Sequence, residues 1–79
     1  MLHGSTFQYL KPSDNQRETM QRARDSIDTC ARELDEILPE GPDKTYLIRK
    51  LREVGIWANV TITRLSDGTP REGATVDYG

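Results

Sequence analysis

One cysteine and one histidine stand among the 79 residues. A single cysteine forms no internal disulfide, and one cysteine with one histidine makes no metal centre, so neither staple is expected. No run of 18 apolar residues occurs, which excludes a membrane-spanning helix. The first dozen residues lack a basic region followed by an apolar core, so no signal peptide is expected. Positive charge is not in surplus: 11 Lys and Arg against 13 Asp and Glu leave a net charge of −2. A double-stranded DNA binder relies on broad positive surface to neutralise phosphates, so DNA is not an expected partner. Catalytic fingerprints are missing too. There is no P-loop, no dinucleotide-binding glycine pattern and no serine–histidine–acid set, and neither enzymatic activity nor a cofactor is expected. His3 reads as inert, and Cys30, on an apolar helical stripe, as a small buried side chain in a reducing setting.

What is present is helical period. Apolar content is 34% and charged content 30%, which suits a narrow core or one borrowed from a neighbour; below ~80 residues a single core seldom stabilises much alone. Residues 1–12 form an arm. Phe7 and Tyr9, spaced by two, suit an extended segment, and Pro12 biases Lys11 away from helix. Ser13 to Gln16 and Asn15 to Glu18 both fit capping-box spacing. From there Met20, Ala23, Ile27, Cys30, Leu34, Ile37 and Leu38 predict an amphipathic helix of about 22 residues. Pro39 and Glu40-Gly41-Pro42-Asp43 end it. Asp43 reads as the next N-cap, with Pro42 in the first turn as the alternative. Leu47, Leu51, Val54, Ala58, Ile62 and Leu65 form the facing seam of a second, antiparallel helix, because the loop is short. Residues 66–79 are polar and are expected to be a mobile tail; a short strand at Val76 and Tyr78 on a partner is the lesser reading. The expected fold is all-α: a two-helix antiparallel hairpin over 13–65, an extended N-terminal arm and a flexible C-terminal tail, assembling into a helical oligomer.

Assembly is expected because the stretch Lys50–Arg64 has too much apolar surface for one partner. Ile56, Trp57 and Val60 point away from the seam, since a helix turns about 100° per residue. Trp57 reads as an oligomer contact. Gly55 costs ~1 kcal/mol against alanine inside a helix, and close approach of another helix would account for it. Gly55, Ile56, Trp57 and Val60 are therefore the expected interface. Asn59 either sets register across that interface or contacts a ligand.

Charge separates along the hairpin. Asp25, Asp28, Glu33, Asp35 and Glu36 late in the first helix lie beside Lys44, Arg49, Lys50 and Arg52 early in the second, as surface pairs of ~0–1 kcal/mol each. At the open end stand Arg17, Arg22, Arg24 and Arg64, the first helix's N-terminus and the arm with Phe7, Tyr9 and Lys11. Rings for stacking, guanidinium groups for phosphate and a helix start that favours anions are the parts of a small nucleotide site. The alternative is a solvated basic face with Tyr9 packed on the hairpin.

Four motifs carry a family resemblance: Phe7-x-Tyr9-x-x-Pro12, Ile37-Leu38-Pro39, Asp43-Lys44 and Leu51-x-x-x-x-x-Trp57-Ala58-Asn59-x-x-Ile62-x-Arg64. Over roughly residues 7 to 65 the chain resembles the helical hairpin shared by phage anti-CBASS and anti-Thoeris sponge proteins. The Trp57-Ala58-Asn59 segment is the most specific part. The resemblance implies a small phage protein, acting in the host cytoplasm without catalysis. Such a protein sequesters cyclic di- or trinucleotide or cyclic ADP-ribose immune signals between the protomers of a homo-oligomer, often a hexamer. It implies Tyr9, or Phe7 in its place, as a base-stacking ring. Lys11, Arg17 or Arg24 would hold phosphate, and Arg64 would lie where several protomers converge. Gly55, Thr61 and Thr63 depart from the alanine that members often carry. The rival expectation is a helical-hairpin interaction or scaffold module with no nucleotide ligand.

Overall fold

A computed structural model describes residues 3–76. The order is β1 (Leu10–Lys11), α1 (Asp14–Ile37), α2 (Pro42–Thr63) and β2 (Thr75–Val76). The chain is mostly helical, with α1 and α2 packed as a hairpin and a small antiparallel sheet that pairs Leu10 with Val76 and Lys11 with Thr75. The all-α expectation is corrected by that sheet. No helix among the described residues is long and apolar enough to cross a membrane.

Both helix starts follow from local chemistry. The Ser13 hydroxyl accepts from the Gln16 amide at 3.1 Å while the Gln16 side-chain oxygen accepts from the Ser13 amide at 2.9 Å, a complete capping box. At α2 the N-cap is Gly41, not Asp43, and Pro42 occupies the first turn. Gly41 has φ 157°, a conformation open chiefly to glycine, and proline's fixed φ suits the first helical position. The α1 C-terminus has no basic residue of its own in its last turn. Lys44 serves it from α2: its ammonium donates to the Asp35 carbonyl at 2.7 Å and to Glu40 Oε1 at 2.5 Å, and stands 3.0 Å from Asp35 Oδ1. The hydrogen bond to Glu40, then that to Asp35, raises the Lys44 pKa. This is the one cross-helix ion pair among the described residues; Arg32–Asp28, Lys50–Glu53 and Arg17–Asp14 lie within a helix.

The seam departs from the expected one at two positions on each helix. Met20, Ala23, Ile27, Ala31 and Leu34 are the half-buried apolar positions of α1, with Leu38 half-buried at its C-cap, while Cys30 is exposed and Ile37 lies 73% exposed. On α2, Lys44, Leu47, Ile48, Leu51, Gly55, Ala58 and Ile62 are buried or half-buried, and Val54 is exposed. Leu65, expected at the end of that seam, is also exposed.

Residues 66–76 are not a loose tail. Arg71 N–H donates to the Thr63 carbonyl at 2.7 Å and Leu65 N–H to that of Thr69 at 2.8 Å, with an isolated bridge between Arg64 and Pro70. The segment folds back over the open end of its own hairpin, where β2 takes the arm as its partner. Val76 thus pairs within the chain, and Tyr78 lies outside the described residues.

The core is thin. Leu10 is the one buried apolar side chain among the described residues, and no helical side chain is fully covered. The accessible surface is 6405 Å², against about 4,900 Å² for a compact folded monomer of 9.0 kDa. The radius of gyration is 15.4 Å, against about 12 Å for a globular chain of this length.

Candidate functional site

Two regions divide the expected site residues. The first is a groove of about 370 Å³ between the helices. Ala23, Ala31, Gly55 and Ala58 are small, so the helices leave a channel with Ile27 and Leu51 along its floor. Arg24 and Asp28 from α1 and Arg52, Ile56 and Asn59 from α2 form its rim. The groove's volume falls within the range of small-ligand sites, and apolar floor with a few polar groups is their usual make-up. Asp28 is engaged by Arg32 Nε at 2.9 Å. Arg24 Nη1 donates to Gln21 Oε1 at 3.1 Å. Among the described residues neither Arg24 nor Arg52 pairs with a carboxylate, so the rim presents two free guanidinium charges. Arg52, expected in surface pairs with the acidic end of α1, lines the groove instead. Its place three residues before Gly55 is the signal that puts it on the groove side.

The second region is the open end. Phe7 is 91% exposed and Tyr9 67% exposed. Phe7 sits in a turn in which Thr6 N–H donates to the His3 carbonyl at 3.0 Å and Gln8 N–H to that of Ser5 at 2.9 Å. Lys11 is exposed on β1, and Arg17, 3.9 Å from Asp14, is exposed in the first turns of α1. Arg64 is engaged by the chain itself. Nη1 donates to the Gly68 carbonyl at 2.8 Å, and Nη2 to those of Ser5 at 3.0 Å and Gln8 at 2.9 Å.

The start of α1 is not the open anion site the sequence suggested. The capping box uses Ser13, and Gln16 Nε2 donates to the carbonyls of Ile62 and Glu72 at 3.2 and 3.1 Å. Gly73, at φ 95°, lies so close over Ser13 that a Cβ there would stand 3.3 Å from its hydroxyl.

No family model, curated protein or solved structure matches the chain. Its own geometry is what bears on function.

Of the expected interface, Ile56 and Trp57 are 65% and 60% exposed, and Val60 is half-buried. Gly55 turns inward, onto Ile27 of the same hairpin. Tyr46 and Val54 add to the apolar surface that α2 leaves uncovered, at 61% and 50% exposure. Among the described residues no His, Cys, Asp and Glu side chains cluster in a way that would hold a metal ion.

Proposed function

We propose that this chain is a phage anti-defence sponge, which sequesters cyclic di- or trinucleotide immune signals, or cyclic ADP-ribose, in the host cytoplasm without cleaving them. The groove between α1 and α2 is the observation that carries this reading. It offers apolar floor for nucleobases, the guanidinium groups of Arg24 and Arg52, which pair with no carboxylate among the described residues, for phosphate, and Asn59 for base edges or sugar. The groove is open to one side, and exposed Ile56 stands on its rim. A second protomer that covered Ile56 and Trp57 would roof it, so ligand capture and homo-oligomerisation, as a hexamer in the resembled family, go together. Phe7 and Tyr9 stand at the open end, apart from this groove, and would offer stacking rings to a ligand held there or by a neighbouring protomer.

Calorimetry with a panel of cyclic di- and trinucleotides tests this. Binding at micromolar concentrations or tighter is expected, with the ligand recovered intact after heat release. No binding by any member, or recovery of a linear product, would overturn it.

A second reading is favoured by Tyr46, Val54 and Trp57, whose exposure does not need a ligand. On that reading the chain is a helical-hairpin interaction module. It would retain no nucleotide, and its mass would not change with concentration.

A further inference from the structure

The geometry points to Arg64 as the positioning residue of the aromatic arm, acting on a bound ligand through Phe7 and Tyr9 and not by touching it. This rests on the sponge reading for its ligand, though not for its geometry. The carbonyls of Ser5 and Gln8 flank the turn that carries Phe7, and both accept from the same Arg64 nitrogen. The other terminal nitrogen takes the Gly68 carbonyl in the loop after α2. One planar guanidinium thus ties arm, α2 and return segment together, which an ammonium, a single point donor, would not reproduce.

The clamp has two reinforcements. Ser5 is buried to 2% exposure, and its amide donates to His3 Nδ1 at 3.0 Å. Beyond Tyr9, Leu10 and Lys11 are held by pairing with Val76 and Thr75. The ring of Phe7 contributes almost nothing to the core, since it stands in solvent. The turn beneath it is nevertheless fixed on both sides by charge-assisted hydrogen bonds. Ordering a segment costs conformational entropy. Fixing it before a ligand arrives removes that cost from the binding step.

Phe7 is the one phenylalanine in the chain, so incorporated 4-fluorophenylalanine gives a single ¹⁹F resonance that reports the arm. Because the ring is solvent-exposed, the width of this line is the readout, and in the full-length protein it is expected to be broader than in the denatured chain. Arg64→Ala is expected to narrow it towards the denatured width while the helical circular dichroism persists, and Arg64→Lys to leave it in between. An unchanged width in Arg64→Ala, with helices intact, would overturn the assignment. Should Arg64→Ala fail to fold, Arg64→Lys and Arg64→Gln carry the same test.

Binding of cyclic di-adenylate supplies the second readout. Arg64→Ala should weaken it roughly 5- to 150-fold, the loss of about one stacked base. Tyr9→Ala with Arg64→Ala should be little worse than the more damaging single change, since both act on one arm. Losses that multiply would place Arg64 against the ligand and overturn the positioning role. If the wild-type chain binds no cyclic nucleotide, the sponge reading fails, and the ¹⁹F line alone decides what Arg64 does.

Discussion

Gly55 of α2 faces Ile27 of α1, whose Cδ1 lies 3.8 Å from where a Cβ on Gly55 would stand. That is ordinary van der Waals distance, so the hairpin itself does not require glycine there. Gly55→Ala is expected to stabilise the chain by about 0.5–1 kcal/mol, because alanine loses less backbone entropy in a helix. Thermal melting checks it. A lowered melting temperature would mean that Gly55 admits a neighbour other than Ile27.

Lys44 predicts a limit at high pH. Its pKa is raised, first by the hydrogen bond to Glu40 and then by that to Asp35. The fold therefore favours the protonated form. The stabilisation is fully present below the ordinary lysine value of 10.5 and is lost as pH rises from there through the raised value. Lys50, raised by its hydrogen bond to Glu53, acts in the same window with the same sign. Lys44→Met keeps the aliphatic stem but leaves the end of α1 without its donor. It is expected to melt at a lower temperature at neutral pH and to lose less than wild type above pH 10.5. Denaturant titrations at both pH values check this.

Asp67 predicts the acid side. It accepts from the Thr69 hydroxyl at 2.7 Å and amide at 3.0 Å, and these bonds hold its pKa below the ordinary carboxylate value of 3.8. Its contribution is present above that value and is lost as pH falls through the lowered one. Amide exchange at Thr69 is expected to quicken in Asp67→Ala at neutral pH, while exchange in the middle of α1 stays slow.

Arg52 is the groove residue whose role separates the two readings of the hairpin. Arg52→Ala is expected to weaken cyclic dinucleotide binding about tenfold or more, the value of a hydrogen bond to a charged group. Melting temperature should stay near wild type, because the side chain is exposed and unpaired with any carboxylate among the described residues. Calorimetry with the variant decides it.

Trp57→Ala is expected to weaken assembly by about 2 kcal/mol, as loss of a central aromatic contact does, while helical content persists. Sedimentation across a hundredfold range of concentration reads the change.

The hairpin was legible because its start signals and apolar spacing are local. Ser13, Gln16 and Pro42 fix helix starts through neighbours within a few residues. The exact seam was not legible. Alternating steps of three and four average 3.5 residues per turn, whereas a straight helix turns every 3.6 and drifts ~20° per heptad. By the third turn that drift moves the facing position from Cys30 to Ala31 on α1, and from Val54 to Gly55 on α2. Val54 misled through its apolar side chain, and Gly55 has none to count. The closing of the open end was hidden for another reason. It rests on main-chain groups, such as Arg71 N–H on the Thr63 carbonyl, and on Arg64 reaching carbonyls 56 and 59 residues away. Composition and period carry no trace of such bonds. Arg24 and Asn59 meet in one groove; Phe7, Tyr9, Lys11 and Arg64 gather instead at the arm.

Native mass spectrometry of the chain with equimolar cyclic di- and trinucleotides tests the central claim most directly, since one spectrum reports assembly, stoichiometry and ligand integrity. The expected result is a multimer of the 9.0 kDa chain carrying ligands of unaltered mass. Bare single chains at every concentration, with no ligand retained, would contradict it.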